Sequence, residues 1–375
     1  MKWSFQIARV QGIQIRVHVT FVLVVVWGAF NYGSGGGLRG LAFGALLTLL
    51  VFGIVLLHEL GHSLAALRFG IAVRDITLLP IGGVARLERM PQKPVQELVV
   101  AVAGPLVNVV LALLSIPVLW HLTGGYPLAI LFAGPLRANF SGLFVFLFII
   151  NLSLLIFNLI PAFPLDGGRI FRALLATGLG FGRATRLAVW VGQGLAFLMG
   201  LYGLWRGNWL LAFVALFIFS AGSAEGRSMA VRSVLDSIRV REALSNMHTV
   251  LHPGFTVIEV ATMTLHNPQT NFPVMLGDVL IGIIGRHDIR RALAEGQKWA
   301  TVAEVMRRDF PTLRPDATLT DAQDTMFQAN SPVAAVYEGT RLCGLLSFED
   351  IERAFQMFPL GKGATVVSGA SGSPG

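Results

Sequence analysis

Cysteine, charge and carboxylates are all scarce in this chain. One cysteine, Cys343, in 375 residues excludes an intramolecular disulfide framework and any cysteine-cluster metal site. Charged residues make up 13% of the sequence, about half the roughly 25% of ordinary soluble proteins, which excludes a wholly soluble globule. Between Glu97 and Glu225 there is a single carboxylate, Asp166. Residues Met1 to Gln14 lack the short apolar core and small-residue cleavage site of a signal peptide. The net charge of +8 would suit nucleic acid. Its arginines flank apolar runs instead, so a membrane surface is the partner implied and no nucleic acid is expected.

What is abundant is apolar sequence, 54% of the chain and concentrated before residue 225. Length and hydropathy predict six spans, with cores at 18–33, 41–67, 97–119, 141–160, 186–204 and 208–223. Arginine and lysine crowd alternate connections: Lys2, Arg9 and Arg16, then Arg68, Arg74, Arg86, Arg89 and Lys93, then Arg169, Arg172, Arg183 and Arg186. The other three carry only Arg39, Arg137 and Arg206. The positive-inside rule then puts both termini in the cytoplasm. Residues 72–92 read as a short β-hairpin or re-entrant loop, whose edge could pair with an extended substrate. A cytoplasmic cover over the second span is the blander reading of the same stretch.

Against this background His58-Glu59-Leu60-Gly61-His62 stands out inside the second span. Ionisable side chains there cost at least a few kcal/mol each and imply a use. His58 and His62 are i, i+4 and share a helix face, so both imidazoles can reach one ion. Glu59 is offset by about 100° and can face water at that ion. His58 lies ten residues before Arg68, about 15 Å deeper in a hydrocarbon core of about 30 Å. Gly61 thins the helix for a neighbouring segment.

A catalytic zinc usually takes a third protein ligand. The fourth span ends Asn158-Leu-Ile-Pro161-Ala-Phe-Pro164-Leu-Asp166-Gly167-Gly168-Arg169. Two prolines break the helix, and irregular backbone at that depth must be buried in protein or line a wet cavity. Asp166 could serve as the ligand or be a loop residue beside Arg169; the segment by itself leaves both open. Asn108, a lone amide in the apolar third span, is open to two readings. It could make an interhelical hydrogen bond, or bind substrate backbone and the transition-state oxyanion.

These motifs together resemble the site-2 protease family of intramembrane zinc metalloproteases. The resemblance rests on HELGH, on N-x-x-P-x-x-P-x-D-G, on Ala103-Gly104-Pro105-Leu106-Val107-Asn108 and on Leu79-Pro80-Ile81-Gly82-Gly83, and covers residues 1–225. It implies one Zn2+ per chain, His58, His62 and Asp166 as its ligands and Glu59 as general base. It also favours the substrate or transition-state role for Asn108. Implied substrates are single-span membrane proteins, cut in regulated intramembrane proteolysis at a prokaryotic cell membrane.

Beyond Glu225 the sequence repeats. Val240, Pro253, Thr256, Val274, Gly282 and Asp288 recur 62 residues later as Val302, Pro315, Thr318, Val336, Gly344 and Asp350. The repeat resembles a tandem pair of CBS domains, at 232–298 and 299–357. That family implies an adenine nucleotide held with the help of Ser347 and Asp350. Gly285 replaces the hydroxyl in the first repeat. Packing or homodimerisation without a ligand is the alternative. Residues 358–375, rich in Gly and Ser at their end, read as a disordered tail.

The expected architecture is thus a polytopic α-helical membrane domain with a short β-hairpin, followed by a cytoplasmic α/β CBS pair. Two other functions stand beside proteolysis: a transporter gated by the CBS pair, and an inactive scaffold. A transporter would spread polar residues along a pathway or show inverted halves, and neither is visible. Intact Glu59 argues against the scaffold.

Overall fold

In the computed structural model, Gln11 and Gly12 both take positive φ, 45° and 88°. This primed-turn geometry closes two-residue hairpins and turns β1 (Ser4–Val10) back on β2 (Ile13–His18). The structure describes residues 3–33, 37–80, 82–87, 91, 93–122, 124, 140–244, 249–267 and 269–357. The expected tail at 358–375 lies outside them. The described chain divides into two compact units, residues 1–229 and 230–375.

The expected hairpin at 72–92 is present as β3 (Val73–Leu79) and β4 (Gly82–Leu87). It belongs to a larger sheet of order β1-β2-β3-β4, in which β2 runs parallel to β3. The amino-terminal strands were not foreseen, although alternation through Ile13-Gln-Ile15-Arg-Val17 carries their period. The first expected span, 18–33, shrinks to α1 (Phe21–Gly33), because His18 ends β2 and Val19 and Thr20 form the turn into the helix. Its 13 residues reach only about 20 Å.

Among the described residues five longer helices are apolar enough to cross a membrane: α2 (Gly37–Arg68), α3 (Pro94–Leu122), α4 (Phe140–Asn158), α6 (Phe181–Trp205) and α7 (Trp209–Ser237). Between α4 and α6 lies a helix the spans did not anticipate, α5 (Asp166–Leu179). Pro161 and Pro164 end α4, and Gly167 and Gly168 let α5 fold back onto that turn. A Cβ on Gly168 would sit 2.7 Å from the Ala162 carbonyl carbon, and one on Gly167 would strike the carbonyls of Leu159 and Ile160. α3 packs against α2, α4 and α5, and so links the helix that carries His58 to the one that begins at Asp166.

A buried ion cluster, missed from sequence, fastens this assembly. Arg172 of α5 donates to Glu97 of α3 through Nε at 2.9 Å and through Nη2, and to Glu225 of α7 through Nη1 at 2.6 Å. Its guanidinium also lies 4.9 Å from the Phe163 ring centre. Arg172→Met would leave the Glu97 carboxylate buried without its cation, a loss expected to cost about 3–5 kcal/mol. Thermal unfolding of the solubilised chain reads this. The paired change Arg172→Met with Glu97→Leu should recover most of it, because an apolar pair replaces the buried ions.

In the second unit each repeat contributes a hairpin between helices. The first has α8 (Val240–Ala243), α9 (Val257–Thr264), β5 (Asn271–Leu276), β6 (Val279–Gly285) and α10 (Arg286–Ala294). The second has α11 (Val302–Val305), β7 (Thr312–Leu313), α12 (Leu319–Gln328), β8 (Val333–Glu338), β9 (Arg341–Ser347) and α13 (Phe348–Met357). Symmetry extends to details. Thr256 and Thr318 cap α9 and α12 through side-chain oxygens, and the β-bulges fall at Val274/Met275 and Val336/Tyr337. The repeats exchange their first helices. Val240 and Ala243 pack with Leu319, Val336 and Ile351, while Val302 and Met306 pack with Val257, Phe272 and Ile284. Each core is therefore completed by the other repeat.

Candidate zinc centre and nucleotide cavity

Helix α2 supplies His58, Glu59 and His62; the broken end of α4 supplies Asp166 at the first residue of α5. These sites lie about a hundred residues apart in sequence. In the fold, His58 Nε2 and His62 Nε2 each stand 3.1 Å from Asp166 Oδ2 and 3.1 Å from each other. All three residues are buried.

The outer nitrogens decide what the inner ones can do. His58 Nδ1 donates to Asn108 Oδ1 at 2.9 Å, and His62 Nδ1 donates to the Val100 carbonyl at 2.7 Å. Each neutral imidazole has then spent its only proton, and both Nε2 lone pairs point at a carboxylate oxygen. Three acceptors 3.1 Å apart with no proton between them repel unless a cation sits among them. Tetrahedral zinc with bonds of about 2.0–2.1 Å would hold its ligand atoms about 3.3 Å apart. Among the described residues this is the one His/Cys/Asp/Glu group able to hold a metal ion, and its two-imidazole, one-carboxylate set suits zinc.

Glycines make the room. A Cβ on Gly61 would come within 2.8 Å of the Ala103 carbonyl, so α3 passes directly over the motif helix. A Cβ on Gly104 would stand 2.8 Å from His58 Nε2 and still closer to His62 Nε2. On the other side Gly83 of β4 lies against Glu59, where a Cβ would be 2.6 Å from Cγ. Glu59 makes no hydrogen bond or ion pair with the described residues, and so its carboxylate is not committed elsewhere. Asn108 has no exposed surface; its Oδ1 is taken by His58 and its Nδ2 has no hydrogen-bond partner among the described residues. Sequence reasoning missed Val100 and Gly104 as parts of the site. Their signal was helical spacing: 100, 104 and 108 share one face of α3.

In the second unit a cavity of about 560 Å3 is lined by residues of both repeats, among them Asn271, Gly285, Asp288, Arg307 and Ser347. Of the two residues named from sequence for a nucleotide, Ser347 lines this cavity. Asp350 does not line it; it accepts hydrogen bonds from Ser347 N at 2.9 Å and Ser347 Oγ at 2.6 Å at the head of α13. The first repeat, lacking the serine, contributes more of the wall. Its Asp288 accepts from Arg307 Nε at 3.1 Å and Nη2 at 3.0 Å, and from Gly285 N at 3.1 Å. Burial would raise the Asp288 carboxyl, but the Arg307 hydrogen bonds and the Gly285 amide outweigh it and hold the group below the ordinary aspartate value. A lowered folded-state value means that its stabilisation is present above the unfolded value and is lost as pH falls through the folded one. Acid unfolding followed by circular dichroism should show the Asp288→Asn chain losing less stability between neutral and acid pH than wild type.

Residues 46–136 and 121–201 match the profile of peptidase family M50. Residues 238–295 and 302–356 match that of the CBS domain. A zinc metalloprotease of Methanocaldococcus jannaschii is 32% identical over 365 residues, covering 96% of this chain and 98% of its own length. Rip3 of Mycobacterium tuberculosis is 30% identical over 389 residues, covering 96% of this chain and 95% of its own. A solved site-2 protease from Methanocaldococcus jannaschii is 36% identical and covers 60% of this chain and 95% of that one, with a TM-score of 0.42.

Proposed function

The chain belongs to peptidase family M50, the site-2 proteases, as a multi-pass zinc metalloprotease carrying a CBS pair; from that premise we propose that it cleaves single-span membrane proteins within the bilayer, in regulated intramembrane proteolysis at a prokaryotic cell membrane. In this reading residues 1–225 form the protease domain, 232–298 and 299–357 the two CBS repeats, and both termini are cytoplasmic. The observation that carries it is the triangle of His58 Nε2, His62 Nε2 and Asp166 Oδ2, whose two histidines stand on a helix long enough to span a membrane.

His58, His62 and Asp166 hold the zinc. Bound there, zinc supplies a Lewis acid that acidifies water and polarises a peptide carbonyl. Glu59 takes the proton from attacking water and returns it to the departing amine, so that a C–O bond forms as the C–N bond breaks. Asn108 keeps His58 in the tautomer whose Nε2 is free; its buried Nδ2, without a partner among the described residues, becomes a donor to substrate or oxyanion once α3 shifts to expose it. β4 ends the sheet beside Glu59. An extended substrate can add there as a further strand, which exposes the peptide bonds that a helix hides.

The test is a panel of single-span substrates offered to the purified full chain, with and without a zinc chelator. Cuts inside the span, lost on chelation, are the expected result. A chain that cuts only water-exposed loops, or cuts as well without zinc, would overturn the reading.

The cavity of the second unit supports a further element, tuning by an adenine nucleotide. Arg307 at its wall suits a phosphate, and Ser347 Oγ, its proton given to Asp350, suits as acceptor for a ribose hydroxyl. Calorimetric titration with AMP, ADP and ATP should show binding that Arg307→Ala weakens. If none binds, the CBS pair serves packing or homodimerisation.

A further inference from the structure

We propose that the apolar face of the β1–β2 hairpin is a membrane-interface anchor, seated in the headgroup and upper acyl layer of an anionic bilayer. The strand register divides the hairpin cleanly. Phe5, Ala8 and Val10 pair with Val17, Ile15 and Ile13, so these six share one face. Ser4, Gln6 and Arg9 pair with His18, Arg16 and Gln14 on the other. One face is wholly apolar, the other wholly polar and basic.

The two strands differ in what covers their apolar face. Ile13 and Ile15 of β2 are buried in the core of the first unit. β1 runs beyond that core, leaving Trp3 68%, Phe5 67% and Val10 37% exposed, with Ile7 at the bulge 61% exposed. Trp and Phe on one side of an element and Arg on the other is the composition of structures that lie in a bilayer interface.

Continuity with the spanning part identifies lipid as the occupant. The Val19 amide donates to the Trp3 carbonyl at 3.0 Å, tying the start of β1 to the residues that lead into α1. α1 itself exposes Val22, Leu23, Val26, Trp27 and Phe30. Its length of about 20 Å falls short of a core of about 30 Å. An apolar strand face at its end, in the interfacial layer, continues the lipid-facing surface that the helix starts. Arg9 and Arg16 on the opposite face then complement anionic headgroups. Because β1–β4 is one sheet and β4 touches Glu59, anchoring its far edge fixes the depth of the active-site edge.

Spin labels test this directly. Cys343→Ser removes the one native thiol, after which cysteines at Phe5, Val10, Gln6 and Arg9 are labelled singly in the full chain. The labelled protein is reconstituted into phosphatidylcholine–phosphatidylglycerol vesicles, and relaxation by oxygen is compared with relaxation by a water-soluble nickel chelate. The expected result is an oxygen-to-nickel ratio several-fold higher at Phe5 and Val10 than at Gln6 and Arg9. Nickel reaching both faces equally would place the hairpin in water. Exclusion of both reagents at Phe5 and Val10 would mean that protein, such as a second copy, covers the face. Either outcome overturns the proposal.

Discussion

Glutamine in place of Glu59 is expected to slow peptide-bond cleavage by about 10²–10⁴-fold, the usual contribution of a positioned general base. Zinc content should not change. The separation follows from position: Glu59 shares α2 with both histidines but lies outside the triangle of His58, His62 and Asp166. Glutamine keeps the size of the side chain and so keeps the contact with Gly83, while losing the capacity to accept a proton. Zinc measured by plasma emission, together with single-turnover cleavage of a single-span substrate, checks both halves. A variant that retains its rate would remove Glu59 from the chemistry, whatever its zinc content. One that loses zinc would make Glu59 part of the metal's environment instead.

The second large effect is expected from one methyl group. Gly104→Ala would on helix propensity alone stabilise α3 by about 0.8–1 kcal/mol. The site reverses the sign. The new Cβ would lie 2.8 Å from His58 Nε2 and closer still to His62 Nε2, well inside the roughly 3.5–4.0 Å of comfortable contact. Neither ring can turn away cheaply, since Asn108 holds one and the Val100 carbonyl the other. Either α3 retreats from α2 or the imidazoles leave their shared point. Displacement of supporting groups around a metal typically lowers affinity 10–100-fold, and a shift of about 1 Å can itself cost 10²-fold in rate. Zinc retention against a graded chelator should therefore fall at least tenfold, with cleavage falling in step. Wild-type zinc affinity in Gly104→Ala would show that α3 does not press on the ligands.

Together the two substitutions separate what the site does from what holds it. Glu59 acts on the substrate's protons; Gly104 acts only through space, by letting α3 bring Val100 and Asn108 to the far nitrogens. Arg172 works at longer range, joining α3, α5 and α7 in one buried cluster.

Much of this was determined by sequence alone, because the signals are local and periodic. HELGH places two imidazoles on one helix face whatever surrounds it, and apolar runs of this length have few stable environments except a bilayer. The repeat at 62 residues needed only comparison of the chain with itself. Tertiary structure decided the rest, where partners are distant in sequence or where two period signals compete. Asp166 could have been a surface loop residue; only the turn at Pro161 and Pro164 and the return of α5 bring its Oδ2 to both Nε2 atoms. Residues 13–17 lie ahead of the first expected span and went without an element, because alternation over so few residues names no partner; the partner is β3, some sixty residues on, and parallel pairing of Gln14–Val17 with it makes them strand. Glu97, Arg172 and Glu225 carry no local pattern at all; their pairing exists only once three helices are packed. Asn108 remained ambiguous from sequence for the same reason. Its Oδ1 finds His58 across two helices, and no spacing along one chain encodes a contact between two.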